Sequence, residues 1–188
     1  MKVETKQIVN GVDVARLVET IDSVKSQPEL AKFKFRVANR WMGGGENQSR
    51  VDGFYGCNEE MQRGRLFTLV ADEPELLLGR DEGANPVEYL LHALAACVTT
   101  SMIYHAAAKG IRIEAVESSL EGDVDLRGFF GIDPGVRNGY QEIRMKLKIK
   151  ADASDDEIQE LGRLGPSFSP VFDSITRGVP VAVTAERI

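Results

Sequence analysis

The longest apolar pattern in the 188-residue chain runs over residues 85–110 and repeats at helical spacing. Leu90, Leu91, Ala93, Leu94, Ala95, Ala96, Val98, Met102 and Ile103 leave almost no face polar. A helix apolar nearly all round is buried, in a core or in a membrane. Glu88, His92, the Thr99-Thr100-Ser101 run and His105 interrupt this one too often for a spanning segment. Both ends carry stop signals. Asn85 can cap the first turn, Pro86 suits the first helical position, and Glu88 falls three residues after the cap. Gly110 supplies the left-handed residue that ends a helix, with Lys109 against the negative end of the dipole. The pattern predicts a central core helix carrying Cys97 at mid-length.

Ahead of it, Val14, Leu17, Val18, Ile21 and Val24 predict an amphipathic helix over 10–25, with Asp13 near its start and Pro28 beyond its end. Phe33, Phe35 and Val37 alternate with Lys34, Arg36 and Ala38, predicting a strand that runs into Asn39-Arg40-Trp41. The turn Met42–Asn47 is rich in glycine but is no phosphate loop, because no helix with a Lys-Ser/Thr follows it. Arg50 to Cys57 reads as the returning strand, with Cys57 as a packing residue. Asn58 to Gly64 reads as a charged loop, and Leu66 to Ala71 as a third strand.

Beyond the central helix, Ile111, Ile113 and Val116 open a strand reaching about Leu126, followed by an irregular loop over 127–139. Ile143, Met145, Leu147 and Ile149 then interleave with Arg144, Lys146, Lys148 and Lys150, a strand with one buried and one solvated face. Ser154 and Glu157 form a capping box opening a helix through Leu164. Ser169-Pro170 starts another helix to Thr176, and Val179 to Val183 reads as a last strand. The order is α+β, with no βαβ regularity and no internal repeat. It suggests an N-terminal helical arm, 1–30, ahead of a domain over 31–188. The central helix is too apolar for one three-stranded sheet to cover, so a second subunit is expected to cover the rest.

Charge and chemistry narrow the picture. A net charge of −6 argues against a nucleic-acid partner, which needs clustered Lys and Arg. Residues 1–6 show no apolar secretory region, and two cysteines suit a reducing compartment, so a cytoplasmic protein is expected. His92 and His105 lie on the central helix, off the i±3 and i±4 spacing that would place them beside Cys97. They and the cysteines show no zinc spacing. Ser169 reads most simply as a helix cap, with no catalytic base in view.

The segment from Asn85-Pro86-Val87-Glu88-Tyr89 through Leu90-Leu91-His92-Ala93-Leu94-Ala95-Ala96-Cys97 resembles the cysteine-helix signature of the OsmC/Ohr family, the osmotically induced and organic-hydroperoxide-resistance proteins. Ser169-Pro170-Val171, followed by Val179-Pro180-Val181, resembles that family's C-terminal end. The element order fits from about Phe33 to Ile188, with helix 10–25 and loop 127–139 as additions. The resemblance implies an OsmC-like fold, antiparallel sheets packed around a long central helix, in an intertwined homodimer with two interfacial sites. It implies a thiol enzyme or sensor: one cysteine reduces hydroperoxides, a second resolves the sulfenic acid, and a dithiol reductant such as a lipoyl protein or small thiol recycles it. No cofactor, metal or membrane partner is implied.

Carried over to these residues, the match is partial. Cys97 takes the peroxidatic position, and the resolving position falls on Ser169, which cannot form a disulfide. The family's glutamate falls on Val87, with Glu88 beside it, about 100° round the helix. The thiolate-holding arginine has three candidates, Arg36, Arg40 and Arg50. Arg40 is preferred because its neighbour Trp41 fits a pattern seen near such sites. The alternative is a non-catalytic homodimer that binds a small apolar ligand in its interface pocket.

Overall fold

The computed structural model describes residues 7–188. The first six residues of the expected arm lie outside them. The chain forms two compact units, one built from Asp13–Leu90 and the other from Ile8–Val12 and Leu91–Ile188.

Strands β1 (Ile8–Val9) and β2 (Val12–Asp13) form a short hairpin. Asn10 and Gly11 make its turn, both at positive φ (53° and 77°), the pair that suits a tight two-residue connection. The Asn10 side chain then acts as a piece of backbone within the second unit. Its amide donates to the Ile111 carbonyl at 2.9 Å, and its oxygen accepts from the Ile113 N–H at 2.8 Å. Helix α1 (Val14–Ser26) starts where the Asp13 carboxylate accepts from the Arg16 N–H, and none of its side chains is buried.

The strand expected from Phe33 forms only from Ala38. β3 spans Ala38–Gly43, whereas Phe33 and Phe35 stack on one another and on Phe54, with ring centroids 5.5–6.2 Å apart. The returning strand predicted over Arg50–Cys57 is likewise broken. β4 (Glu46–Val51) ends before Asp52-Gly53, and a separate hairpin of β5 (Phe54–Gly56) and β6 (Glu59–Met61) follows. Cys57 and Asn58 are its two turn residues, at φ 52° and 65°. Cys57 is therefore an exposed turn residue and not a packing residue, and part of the expected 58–64 loop is strand. The cause is the two-residue turn: pairing Gly56 with Glu59 forces both intervening residues into the left-handed region. β7 (Phe67–Ala71) completes an antiparallel sheet in the order β3-β4-β7.

Helix α2 (Pro86–Ala108) has the termini its sequence promises. Asn85 Oδ1 accepts from the Val87 N–H at 2.9 Å, and the Glu88 carboxylate accepts from the Asn85 N–H at 2.9 Å. At the other end Gly110 adopts φ 74°, and the Ile111 and Gly110 N–H groups close on the Ala106 and Ala107 carbonyls. The helix is long and apolar enough to cross a membrane by length and composition, a test that core helices also pass. Leu94, Val98, Met102 and Ala106, four residues apart, form its buried face.

β8 (Ile113–Asp123) pairs with β9 (Glu142–Ala151), setting Val116 opposite Ile149 and Leu120 opposite Met145. The basic row of β9 is solvated, as expected, and faces acids across the ladder: Lys150 meets Glu114, and Arg144 meets Glu121 and Asp123 of β8 as well as Glu142 of its own strand. The loop between these strands begins with a single helical turn, α3 (Leu126–Phe129). Helix α4 (Asp155–Ser167) shows the full Ser154–Glu157 capping box, and α5 (Pro170–Arg177) begins at its Ser169 cap.

The core of the second unit joins Met102 and Ala106 of α2 to Leu161 and Leu164 of α4, with Ile111, Ile113, Val116, Ile149 and Ile158 around them. Gly165 permits the close approach: a Cβ there would stand 2.8 Å from Val98 Cγ1 and 2.9 Å from the Val98 carbonyl. Among the described residues, every buried apolar side chain belongs to this unit. The last expected strand, Val179–Val183, does not form; the three valines are 57–87% exposed and no strand pairs with them among the described residues. Alternation alone does not make a strand without a ladder partner.

Candidate functional site

Cys97 sits half-buried on α2, one position from the buried Val98. The corner between α4 and α5 packs along the adjoining face of the helix. Gly165 lies against Val98, the Ser101 hydroxyl donates to the Phe168 carbonyl at 3.2 Å, and the His105 ring stacks on Phe168 at 3.9 Å. Ser101 is one turn beyond Cys97 and about 40° round the helix from it, so the thiol borders the face that this corner covers. Ser169 follows at once, 2% exposed, its oxygen accepting from the Phe172 N–H at 3.1 Å. Cys97 and Ser169 thus belong to one unit, whereas Arg40 and Glu88 belong to the other.

The three arginine candidates have different surroundings. Arg36 is spent on a bidentate pair with Glu60 at 2.8 and 2.7 Å. Hydrogen bonding to Arg36 holds the Glu60 carboxyl below its ordinary range. Arg40 and Arg50 make no ion pair among the described residues, and the register sets both on one face of the sheet, since Ala38 pairs with Arg50 and Arg40 with Gln48. Arg50, with Arg36, Val37 and Leu66, lines an open cleft of about 660 Å³ in the first unit. Glu88 is exposed, and its carboxylate is engaged at the helix start. His92 is exposed on α2. No group of three or more His, Cys, Asp or Glu that could hold a metal occurs among the described residues.

Two features escaped sequence reasoning. One is the Phe168 clasp, which joins residues 67 apart in the chain. The other is Asp72, only 1% exposed, whose carboxylate gathers the N–H groups of Glu73, Arg80 and Glu82 and orders the loop leading to α2. Burial pushes the Asp72 carboxyl up, but those three donors outweigh it and hold it below its ordinary range. Nothing in the sequence distinguishes Asp72 from the neighbouring acids.

His105 is held below the ordinary imidazole value, first by burial and then by the charge of Lys109. A folded state that resists protonation loses stability as the pH falls from the ordinary imidazole range toward the lowered value. Thermal unfolding at pH 5.5 should therefore come at a lower temperature than at pH 7.5, and His105→Gln should shrink that difference. An equal difference in the variant would contradict this.

The sequence profile of the OsmC family, described as OsmC-like protein, matches residues 79–184, more than half of the chain. The chain belongs to the OsmC-like family. Among solved structures it is similar to an OsmC-like protein from Mycoplasma pneumoniae (TM-score 0.58, 20% identity, covering 78% of this chain and 89% of that one). It is also similar to an OsmC-like protein of unknown function from Vibrio cholerae (TM-score 0.57, 10% identity, covering 76% and 94%). A third likeness is to a Legionella pneumophila protein described as an organic hydroperoxide resistance protein OsmC and redox protein (TM-score 0.51, 18% identity, covering 75% and 89%). At such identities the likeness is one of fold. No curated protein matches the chain.

Proposed function

We propose that this OsmC-like protein works as a homodimer in hydroperoxide reduction or sensing, through Cys97 and an external resolving dithiol. The observation that carries the reading is a half-buried Cys97 thiol on α2, bordering the face that the α4–α5 corner covers; the reading takes Ser169 of that corner as the resolving-cysteine position. The Cys97 thiolate attacks the distal hydroperoxide oxygen, forming the S–O bond as the O–O bond breaks, and the leaving alkoxide takes a proton to become an alcohol. A reductant thiol then attacks the sulfenic sulfur and releases water, and its second thiol displaces Cys97 as the dithiol becomes a disulfide. Arg40 or Arg50 is the cation assigned to the thiolate, with Arg40 preferred, and Glu88 is assigned to the same site. Dimerisation is supported by Phe35, Val37 and Trp41, 60–69% exposed in a unit with no buried apolar side chain among its described residues.

The test is mass spectrometry after stoichiometric cumene hydroperoxide with a sulfenic-acid trap present. Cys97 should be trapped. Without the trap, excess hydroperoxide should add about 32 Da as sulfinic acid, with no peptide linking Cys57 to Cys97. The native mass should be twice the 20.7 kDa of one chain. Unmodified Cys97 at hydroperoxide levels that exhaust a small-thiol control would overturn the redox reading and leave apolar-ligand binding as the better account.

A further inference from the structure

The loop over residues 73–84 is tied down along its length, and its tip is apolar. The buried Asp72 carboxylate accepts from the N–H groups of Glu73, Arg80 and Glu82. The Glu73 carboxylate accepts from the Asn85 amide, and Arg80 pairs with Glu46 of β4. Gly79 lies so close to the Glu73 backbone that a Cβ there would overlap its carbonyl. On this frame a single 3-10 turn, Glu75–Leu77, ends with Leu78 in the left-handed region at φ 67°. A leucine rarely holds that conformation, and such strain clusters at functional sites. Leu76 and Leu78 are 92% and 90% exposed, more than any other large apolar side chain among the described residues before the terminal Ile188. Glu75, Asp81 and Glu82 flank them in the chain. An exposed apolar tip with a polar rim marks a contact with another macromolecule, and a tip already in shape binds with little ordering cost.

The same unit carries a surface of the opposite shape and sign. The open cleft of about 660 Å³ has apolar walls in Val37, Ala38 and Leu66 and is lined by Arg36 and Arg50. A hollow of about 360 Å³ shares Arg36 and Glu60 with it and adds Lys32 and Lys34. These cations outnumber the lining acids, Asp52 and Glu60, in a chain whose net charge is −6. We infer that loop 73–84 of one copy seats Leu76 and Leu78 in the cleft of a second copy, where Arg36 and Arg50 meet Glu75, Asp81 and Glu82. The inference deepens the homodimer reading and rests on it, whatever the chemistry at Cys97. Each copy offers one tip and one cleft, so a two-fold axis makes the contact twice and closes the dimer. Opposite signs fix the register of approach. The acids on the tip disfavour an anionic lipid surface as its occupant. This use of Arg50 leaves Arg40 as the cation for the thiolate.

The experiment follows the mass of the full chain through a dilution series, by light scattering and native mass spectrometry. Leu76→Asp with Leu78→Asp should weaken the dimer on the order of a hundredfold, the scale of lost hot-spot contacts. Aspartate tolerates the left-handed region, so circular dichroism should show the wild-type fold. Glu75→Lys and Arg50→Glu test the cleft, and they decide the matter if the leucine variant does not fold. Each alone sets like charges together in both contacts and should dissociate where the wild type is dimeric. Mixed, they place opposite charges in both contacts, so the heterodimer should outnumber either homodimer. A monomeric wild type overturns the inference and the homodimer reading together. A wild-type dimer that survives the leucine substitutions overturns the inference alone, as do charge variants that show no preference for one another. A dimer left intact while the leucine variant loses binding to neutral phosphatidylcholine vesicles would assign the tip to a lipid surface and overturn it likewise.

Discussion

Cys97→Ser should bring hydroperoxide consumption down to the level of a buffer blank, a loss on the order of a hundredfold or more. Serine keeps the size and the helix position but offers no anion near neutral pH, and the anion is what attacks the O–O bond. Cys57→Ser is the internal control. Its thiol lies exposed on the β5–β6 turn, in the other unit, so the variant should keep the wild-type rate. Consumption assayed with an excess of dithiol reductant checks both. A Cys97→Ser protein that retained most of the rate would place the chemistry elsewhere.

Leu161→Ala should cost about 2–5 kcal/mol of folding stability. Leu161 is fully buried and packs with Met102, Ala106 and Leu164, where α4 meets α2. Truncation leaves a cavity between two helices, and the second helix carries the candidate thiol. Val183→Ala removes methyl groups from a side chain 87% exposed and should change stability by less than about 0.5 kcal/mol. Urea unfolding of the two variants beside the wild type reads the contrast. An unchanged midpoint for Leu161→Ala would mean that this cluster is not the core of the second unit.

Most helix boundaries were legible from local chemistry, because a cap acts within one turn. Asn85, Glu88 and Gly110 bound α2, and Ser154 and Glu157 open α4, as their spacing requires. β9 was legible for a related reason. A strand with one wet face writes its period of two directly into the residues, and its basic row found acids across the ladder. The early strands were less so. Phe33 to Val37 alternates as well as β9 does, yet among the described residues its backbone pairs only through a bridge between Lys34 and Tyr55. Cys57 reads as a strand residue in the sequence because nothing in its type announces a left-handed turn.

The sequence by itself determined the α+β class, the cysteine helix and the family, because propensity, capping and periodicity are properties of neighbours in the chain. Only the tertiary structure decided what surrounds the thiol. The Ser101–Phe168 clasp and the His105 stack on the cysteine helix, like the Arg36–Glu60 pair within the other unit, join residues tens of positions apart. Such pairings are set by which faces pack together, and many sequences with the same local pattern would pair them otherwise. Val179 to Val183 shows the converse. Its alternation is compatible with a strand, but a strand is a relation between two segments, and no partner segment pairs with it among the described residues.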